Sequence, residues 1–275
     1  MAPPDPDRVQ AALTYSRRGP ARPLAATAAP GSPTLYPQGE TERRTVAIRD
    51  VRPLAGDLSL DTHGFVLVRH ETRVRDFHDE AERARVYDAE IAELVAGLSG
   101  AARVLVFDHT LRHGDEAVQR ARGLREPVEV IHNDYTAWSG PERVRDLLPD
   151  EAPALLERRF AIIQVWRPMQ PVVLRHPLAI CDARTIAVGD LIPTERRHPH
   201  RTGEIYHLAH NPAHRWHYVP ALRHDEAIVF KTYDSATDGR ARFTAHAAFD
   251  DPATPPDAPH RESIEARALA FFGDR

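Results

Sequence analysis

Cysteine is all but missing from this chain. Cys181 is the single one among 275 residues, so an intramolecular disulfide is excluded, and so is a zinc site built from thiolates. It falls in the apolar run Pro177–Asp182 and reads as a buried, inert thiol rather than a nucleophile. Long apolar runs are missing too. None approaches the length needed to cross a bilayer, and the first residues lack the charged and apolar regions of a secretory signal. Nor does one sign of charge prevail: Lys and Arg number 36, Asp and Glu 40, giving a net charge of −4 with both signs interspersed. No basic tract invites nucleic acid, and no acidic tail suggests a histone-like partner. The expectation is a cytoplasmic protein with a small-molecule substrate and neither nucleic-acid nor membrane partner; a homodimer is left open.

What is present is a chain of 42% hydrophobic residues, enough for one large domain. Residues 1–44 are rich in Pro and Ala, with eight prolines in the first forty positions, and are expected as an arm or cover over a single domain at 45–275. Thr45–Val51, Gly64–Val68 and Ala102–Phe107 read as strands. Asp76–Leu98 has the apolar spacing of an amphipathic helix that stops at Ser99-Gly100. Pro127–Ile131 is expected as a short strand. Ser139 and Glu142 have the spacing of a capping box for a helix through Leu148, and a helical turn follows over Asp150–Arg158. Strands then predominate: Phe160–Trp166, Leu178–Ile180, Thr185–Val188, Glu204–Leu208, His214–Val219, Ala227–Tyr233, Arg242–Phe249 and Ser263–Phe271. Many short strands between turn signals predict a mainly β (α+β) fold of the jelly-roll kind, buttressed by helices.

Within this pattern His132 and Asp134 stand two residues apart, a spacing that on a strand puts both side chains on one face. His246 lies in a later strand-like run among small and apolar residues. Two imidazoles and one carboxylate can take one face of an Fe(II) ion and leave the others open for a cosubstrate and O₂. Arg261-x-Ser263 then sets a planar cation and a hydroxyl on one strand face, suited to the far carboxylate of a 2-oxo acid; Arg267 is the alternative anchor. Lys231 and Arg167 are cations in otherwise apolar strands, read either as carboxylate holders or as paired structural residues. Tyr135, Trp166, Trp216, Tyr218 and Tyr233 are candidate substrate walls. Other histidines compete: His109 and His113 are four apart, but they follow a strand and Gly114-Asp115 suggests a turn; His198-Pro199-His200 lies in a solvated loop; and His207, His210, His214 and His217 have no carboxylate at ligand spacing.

Several segments carry a family resemblance. They are Ser59-Leu60-Asp61 with Gly64-Phe65, Val106–Arg112, Val130–Thr136, Val165–Pro168, Trp216–Pro220 before Asp225-Glu226, Phe230–Ser235, His246–Pro252 and Arg261–Arg267. Over about residues 45–272 the chain resembles the hydroxylase/desaturase family of non-haem Fe(II)/2-oxoglutarate oxygenases. That family includes a cephamycin methoxylation protein and a fungal meroterpenoid endoperoxide-forming oxygenase. The resemblance implies a double-stranded β-helix (cupin-like) fold and the use of Fe(II), 2-oxoglutarate and O₂. It implies C–H oxidation of a natural product by hydroxylation, desaturation or ring formation. It carries His132, Asp134 and His246 over as ligands and Arg261 as the 2-oxoglutarate anchor. Gln164 departs from the Asn expected before Val-Trp-Arg-Pro. Two other readings stand beside this one: a metal-dependent isomerase or hydrolase on the same fold, and a non-catalytic accessory protein for a tailoring enzyme, as the cephamycin relative is a companion subunit.

Overall fold

The computed structural model describes residues 8–19, 24–27, 34–35, 40–197 and 202–273. Two sheets dominate among them. The smaller has five strands, all antiparallel, in the order Phe65–Arg69, Glu226–Asp234, Phe160–Pro168, Glu262–Phe271 and Arg103–His113. The larger has ten strands. At its centre Trp216–Tyr218, Leu178–Cys181, His246–Ala248, His132–Asn133, Thr202–Leu208 and Leu191–Arg197 follow one another side by side. The arrangement is a double-stranded β-helix, as the sequence led us to expect.

Alternation along the strands explains the layers. Trp166, Ile228 and Phe230 of the small sheet meet Leu178 and Ile180 of the large sheet in one apolar cluster. Their sequence neighbours Val165, Ala227 and Val229 join Tyr87, Ile91 and Val95 of the helix Asp88–Ser99 in another. The small sheet is therefore covered on both faces, which is why its strands read as continuous apolar runs. Behind the large sheet a third cluster gathers Trp216, Tyr218, Cys181 and Ala247 with Leu13, Tyr15 and Ile48. Leu13 and Tyr15 come from the strand Arg8–Ser16, which pairs along its length with Thr41–Asp50. Each large apolar side chain buried in these layers contributes roughly 1.5–3 kcal/mol.

Local departures from the sequence reading have local causes. The helix expected over Asp76–Leu98 starts after Asp79, whose carboxylate caps the amides of Ala81 and Glu82, and passes through a π turn at Arg83–Tyr87. It ends where expected, with Gly100 left-handed at φ 73° and its amide donating to Ala96 O. The capping box at Ser139 does not form. Thr136 Oγ1 caps the helix by accepting from the amides of Trp138 and Ser139, while Glu142 pairs with Arg145. Thr185–Val188 is not a strand: Asp182 accepts from the amide of Arg184 and binds its guanidinium, curling the chain into short 3-10 turns. Pro127–Ile131 makes only a bridge from Val130 to Thr14 before the paired residues His132–Asn133. The run Arg242–Phe249 pairs only over His246–Ala248, because the Thr244 amide donates to the Asn133 side chain instead of a neighbouring strand. The His198-Pro199-His200 loop lies outside the described residues.

Gly64 marks the tightest approach near the centre. Its φ is +85°, and a Cβ there would sit 2.3 Å from Thr244 Oγ1, which donates to Gly64 O at 3.1 Å. Gly64→Ala is expected to cost about 2 kcal/mol or more. Thermal unfolding should show it as a fall in Tm of roughly 4–8 °C; an unchanged Tm would show that the approach can relax freely.

Candidate metal centre

Strand pairing brings the three sequence-distant groups together. His132 pairs directly with His246 across the strands and with His207 on the other side. The rings of His132 and His246 lie 4.5 Å apart between centroids, tilted by 53°. Asp134 Oδ1 is 3.5 Å from His132 Nε2. One donor atom from each of His132, Asp134 and His246 falls within 4.8 Å of the others, and all three residues are buried.

The backbone turns the rings. His132 Nδ1 lies 2.9 Å from Val130 O and His246 Nδ1 lies 3.1 Å from Thr244 O. A carbonyl only accepts, so both rings carry their proton on Nδ1 and leave the Nε2 lone pair for a ligand. Burial, then the neighbouring His246, pushes the His132 pKa down to about 3, and burial lowers that of His246 as well. Both rings therefore stay neutral, the form that binds a metal. Asn133, pointing away from its flanking ligands, stitches the centre together. Its amide donates to Tyr135 O and Thr232 O at 2.6 and 2.8 Å, and its oxygen accepts from the Thr244 amide at 3.0 Å.

Asp134 is ionised against the pull of burial. Arg267 holds it well below the usual carboxylate range by donating from Nε to Oδ2 at 2.9 Å. Arg267 also binds Asp108 at 2.7 Å, Thr110 at 3.0 Å and Glu265 at 2.9 Å. Arg112 grips Glu265 in turn with two bonds, at 2.5 and 3.1 Å. A chain of alternating charge thus runs Asp134, Arg267, Glu265, Arg112 through the interior.

Nearby are buried polar groups without partners. Arg261 is 1% exposed; its Nη1 donates to His176 O at 2.7 Å, its guanidinium lies 5.3 Å from the Trp166 ring, and its Nε has no acceptor. Burial, then Arg112, pushes its pKa down to about 9. Ser263 Oγ, both amide atoms of Gln164 and Trp166 Nε1 also lack partners among the described residues. Leaving such atoms unpaired costs about 1–3 kcal/mol each, so the cluster has the character of a receiver for a polar ligand. A 2-oxo diacid fits this donor set.

Other expected residues lie elsewhere. Trp216 and Tyr218 face the cluster behind the large sheet, Trp216 donating to the Tyr15 hydroxyl at 2.7 Å; they are not walls of this centre. Their strand has the opposite parity: His217, not its neighbours, is registered with Ile180 and so with His246. Arg167 turns outward, donating to the carbonyls of His70 and His224 near the Phe77 and Tyr87 rings. Lys231 is bound by Asp61 at 2.7 Å and Asp234 at 2.8 Å, so its ammonium is already matched. Tyr233 packs on Phe160 in an apolar cluster that also holds Tyr135. Tyr135 alone of these tyrosines lines a cavity of about 550 Å³ beside Asp134. Sequence reasoning missed Phe230, whose ring lies 4.7 Å from that of His246, and the Asn133 stitch; only the alternation between inward ligands and an outward Asn hinted at the latter.

Two further histidines give the centre a pH signature. Burial pushes His207 and His217 down to about 4 each. In the unfolded chain they bind protons near pH 6.5, but folded they resist doing so until about pH 4, so stability falls as pH drops through that window. The Tm of metal-free protein should decline between pH 7 and 4.5, and His217→Gln should flatten the slope. A Tm independent of pH over that range would mean these rings are not held neutral.

The comparisons with known proteins agree with this geometry. A family profile described as an oxidoreductase/YMDC permease-like domain matches residues 13–271. Among the described residues no helix is long and apolar enough to cross a membrane. The hydroxylase/desaturase efuI of Hormonema carpetanum is 31% identical over 254 residues, 84% of each chain. The Fe(II)/2-oxoglutarate-dependent dioxygenase nvfI of Aspergillus novofumigatus is 35% identical over 238 residues, 83% of each. A solved structure of the iron and alpha-ketoglutarate-dependent endoperoxidase NvfI superposes with a TM-score of 0.86 at 30% identity, covering 98% of this chain and 100% of that one. With a buried two-histidine, one-carboxylate cluster on that fold, the chain belongs to the hydroxylase/desaturase family, whose members include Fe(II)/2-oxoglutarate-dependent dioxygenases.

Proposed function

We propose that the protein is an Fe(II)/2-oxoglutarate-dependent dioxygenase that oxidises a C–H bond of a small natural-product molecule. His132, Asp134 and His246 hold the iron, and Arg261 with Ser263 receives the far carboxylate of 2-oxoglutarate. The observation that carries this reading is the pair of neutral imidazoles turned Nε2-inward beside an ionised carboxylate. When bound, the ferrous ion supplies the redox centre at which O₂ and the 2-oxo acid react, yielding succinate and CO₂ and oxidising the substrate.

The chain's own residues bind, orient and exclude water. Arg267 occupies Asp134 Oδ2 and so presents Oδ1 toward the histidines. Phe230 lies against His246 and keeps water from that side. Arg261 offers a guanidinium with no carboxylate partner and an unpaired Nε, and Ser263 an unpaired hydroxyl, whereas Arg267 and Lys231 are matched by carboxylates. Arg261 is thus the better anchor. Gln164 offers a further amide to the cosubstrate, and Trp166 forms the floor beneath Arg261. Tyr135, on the cavity beside Asp134, is the wall that fits a substrate role.

Anaerobic titration with Fe(II) and 2-oxoglutarate tests the assignment through the weak visible charge-transfer band of such centres. His132→Ala should abolish the band. Arg261→Gln should keep iron but weaken 2-oxoglutarate binding roughly 10–100-fold, the worth of a charged hydrogen-bonded contact. Arg267→Gln should instead weaken iron binding. Unchanged 2-oxoglutarate affinity in Arg261→Gln would place the anchor elsewhere.

A further inference from the structure

The cavity of about 550 Å³ lined by Asp134 and Arg267 is where a substrate would reach the proposed iron centre. Its lining mixes aromatic and charged residues. It includes Tyr135 and Trp138, the latter 53% exposed although tryptophan is among the costliest residues to leave wet. It also includes Arg125, part-buried and close to Arg196.

Most charges in this wall have partners. Arg267 is bound by Asp134 and Asp108, Arg112 by Glu265, Arg143 lies 3.8 Å from Asp146, and Glu142 is held by Arg145. Arg125 is the exception: among the described residues its side chain makes neither a hydrogen bond nor an ion pair. Burial and then the fields of Arg196, Arg112 and Arg267 all oppose its charge, with Asp108 a weaker offset. A guanidinium kept in such a place without a counter-ion is a surplus cation at the mouth of a cleft, and its planar fork suits a carboxylate.

We infer that the substrate is an apolar or aromatic molecule bearing an acidic group, which Arg125 binds while Trp138 and Tyr135 seat its body. The inference deepens the iron-oxygenase reading and rests on it for the identity of the cavity as the substrate's. Arg125 acts as a specificity-determining residue.

The test uses the full chain with Mn(II) and saturating 2-oxoglutarate, so that no turnover occurs and the Arg261 receiver is filled. The probes are 1-naphthoate and its uncharged match 1-naphthamide, followed by ligand-observed NMR and by shielding of Trp138 from acrylamide, since Trp166 and Trp216 are buried. Naphthoate is expected to bind about tenfold or more tightly than naphthamide, and Arg125→Gln should bring the ratio near one while sparing 2-oxoglutarate affinity. Arg125→Lys should retain part of the preference. Equal binding of the two probes, binding of neither, or a preference that survives in Arg125→Gln would overturn the inference. Failure of the iron centre is read separately: Mn(II) and 2-oxoglutarate would then not bind, whereas the probe ratio can also be measured on metal-free protein.

Discussion

A carboxylate buried beside two neutral imidazoles is the constraint on which the interior depends. Asp134 is 8% exposed, and an unpaired carboxylate there would take up a proton and lose its value as a ligand. Arg267 prevents this, but a buried guanidinium needs more than one partner, and Asp108, Thr110 and Glu265 supply them. Glu265 then requires Arg112. Each charge taken from water calls for the next, and the chain ends where Arg112 donates to Glu126 O at 2.9 Å. The cost of desolvating these groups is offset only because every one has a partner with good geometry.

The jelly roll makes that constraint compatible with an open site. Strands distant in sequence lie side by side, so His132 and His246 become cross-strand neighbours without any loop having to be ordered around them. Asp134 directly follows the large-sheet strand His132–Asn133 and Arg267 lies in the small sheet, so their bond is also a tie between the layers. Two backbone carbonyls aim the rings, and the Asn133 side chain holds the segment before His246 in place of a missing ladder bond. A centre positioned by backbone and paired strands needs few dedicated residues of its own.

This division explains what was legible in the sequence. His132, Asp134, His246 and Arg261 could be picked out because ligand chemistry restricts residue type and because strand spacing of two fixes their relative faces. The jelly roll was legible from many short strands. Trp216 and Tyr218 were misplaced, and Arg167 and Lys231 left between two readings, because residue type does not say which face of a strand it occupies. Parity relative to His246 depends on registers such as Ile180 with both His246 and His217, and those are set by pairings between segments far apart in the chain. The unpaired stretch at Arg242–Ala245 was hidden for a related reason: the Asn133 side chain, from a distant segment, replaced the strand partner that the pattern assumed. The helix cap was misassigned locally, Thr136 doing at three residues' distance what the pattern gave to Ser139.

Charge balance separates the two arginines of the last strand. Asp134, Arg267, Glu265 and Arg112 cancel among themselves, with Asp108 at the edge of the chain, and Arg261 stands apart with only a carbonyl and an aromatic ring for company. A ferrous ion placed at the triad without its cosubstrate would add two positive charges to an interior that already holds the uncompensated Arg261. A 2-oxo diacid brings two negative charges, one carboxylate suited to each end of that imbalance. Iron and cosubstrate entering together therefore leave the buried charge unchanged, while either alone disturbs it by two. On this view the pairing of Arg267 with Asp134 and the isolation of Arg261 are two halves of one arrangement. The first keeps the carboxylate ionised before anything binds, and the second leaves a buried cation without a carboxylate, as the proposed cosubstrate anchor requires.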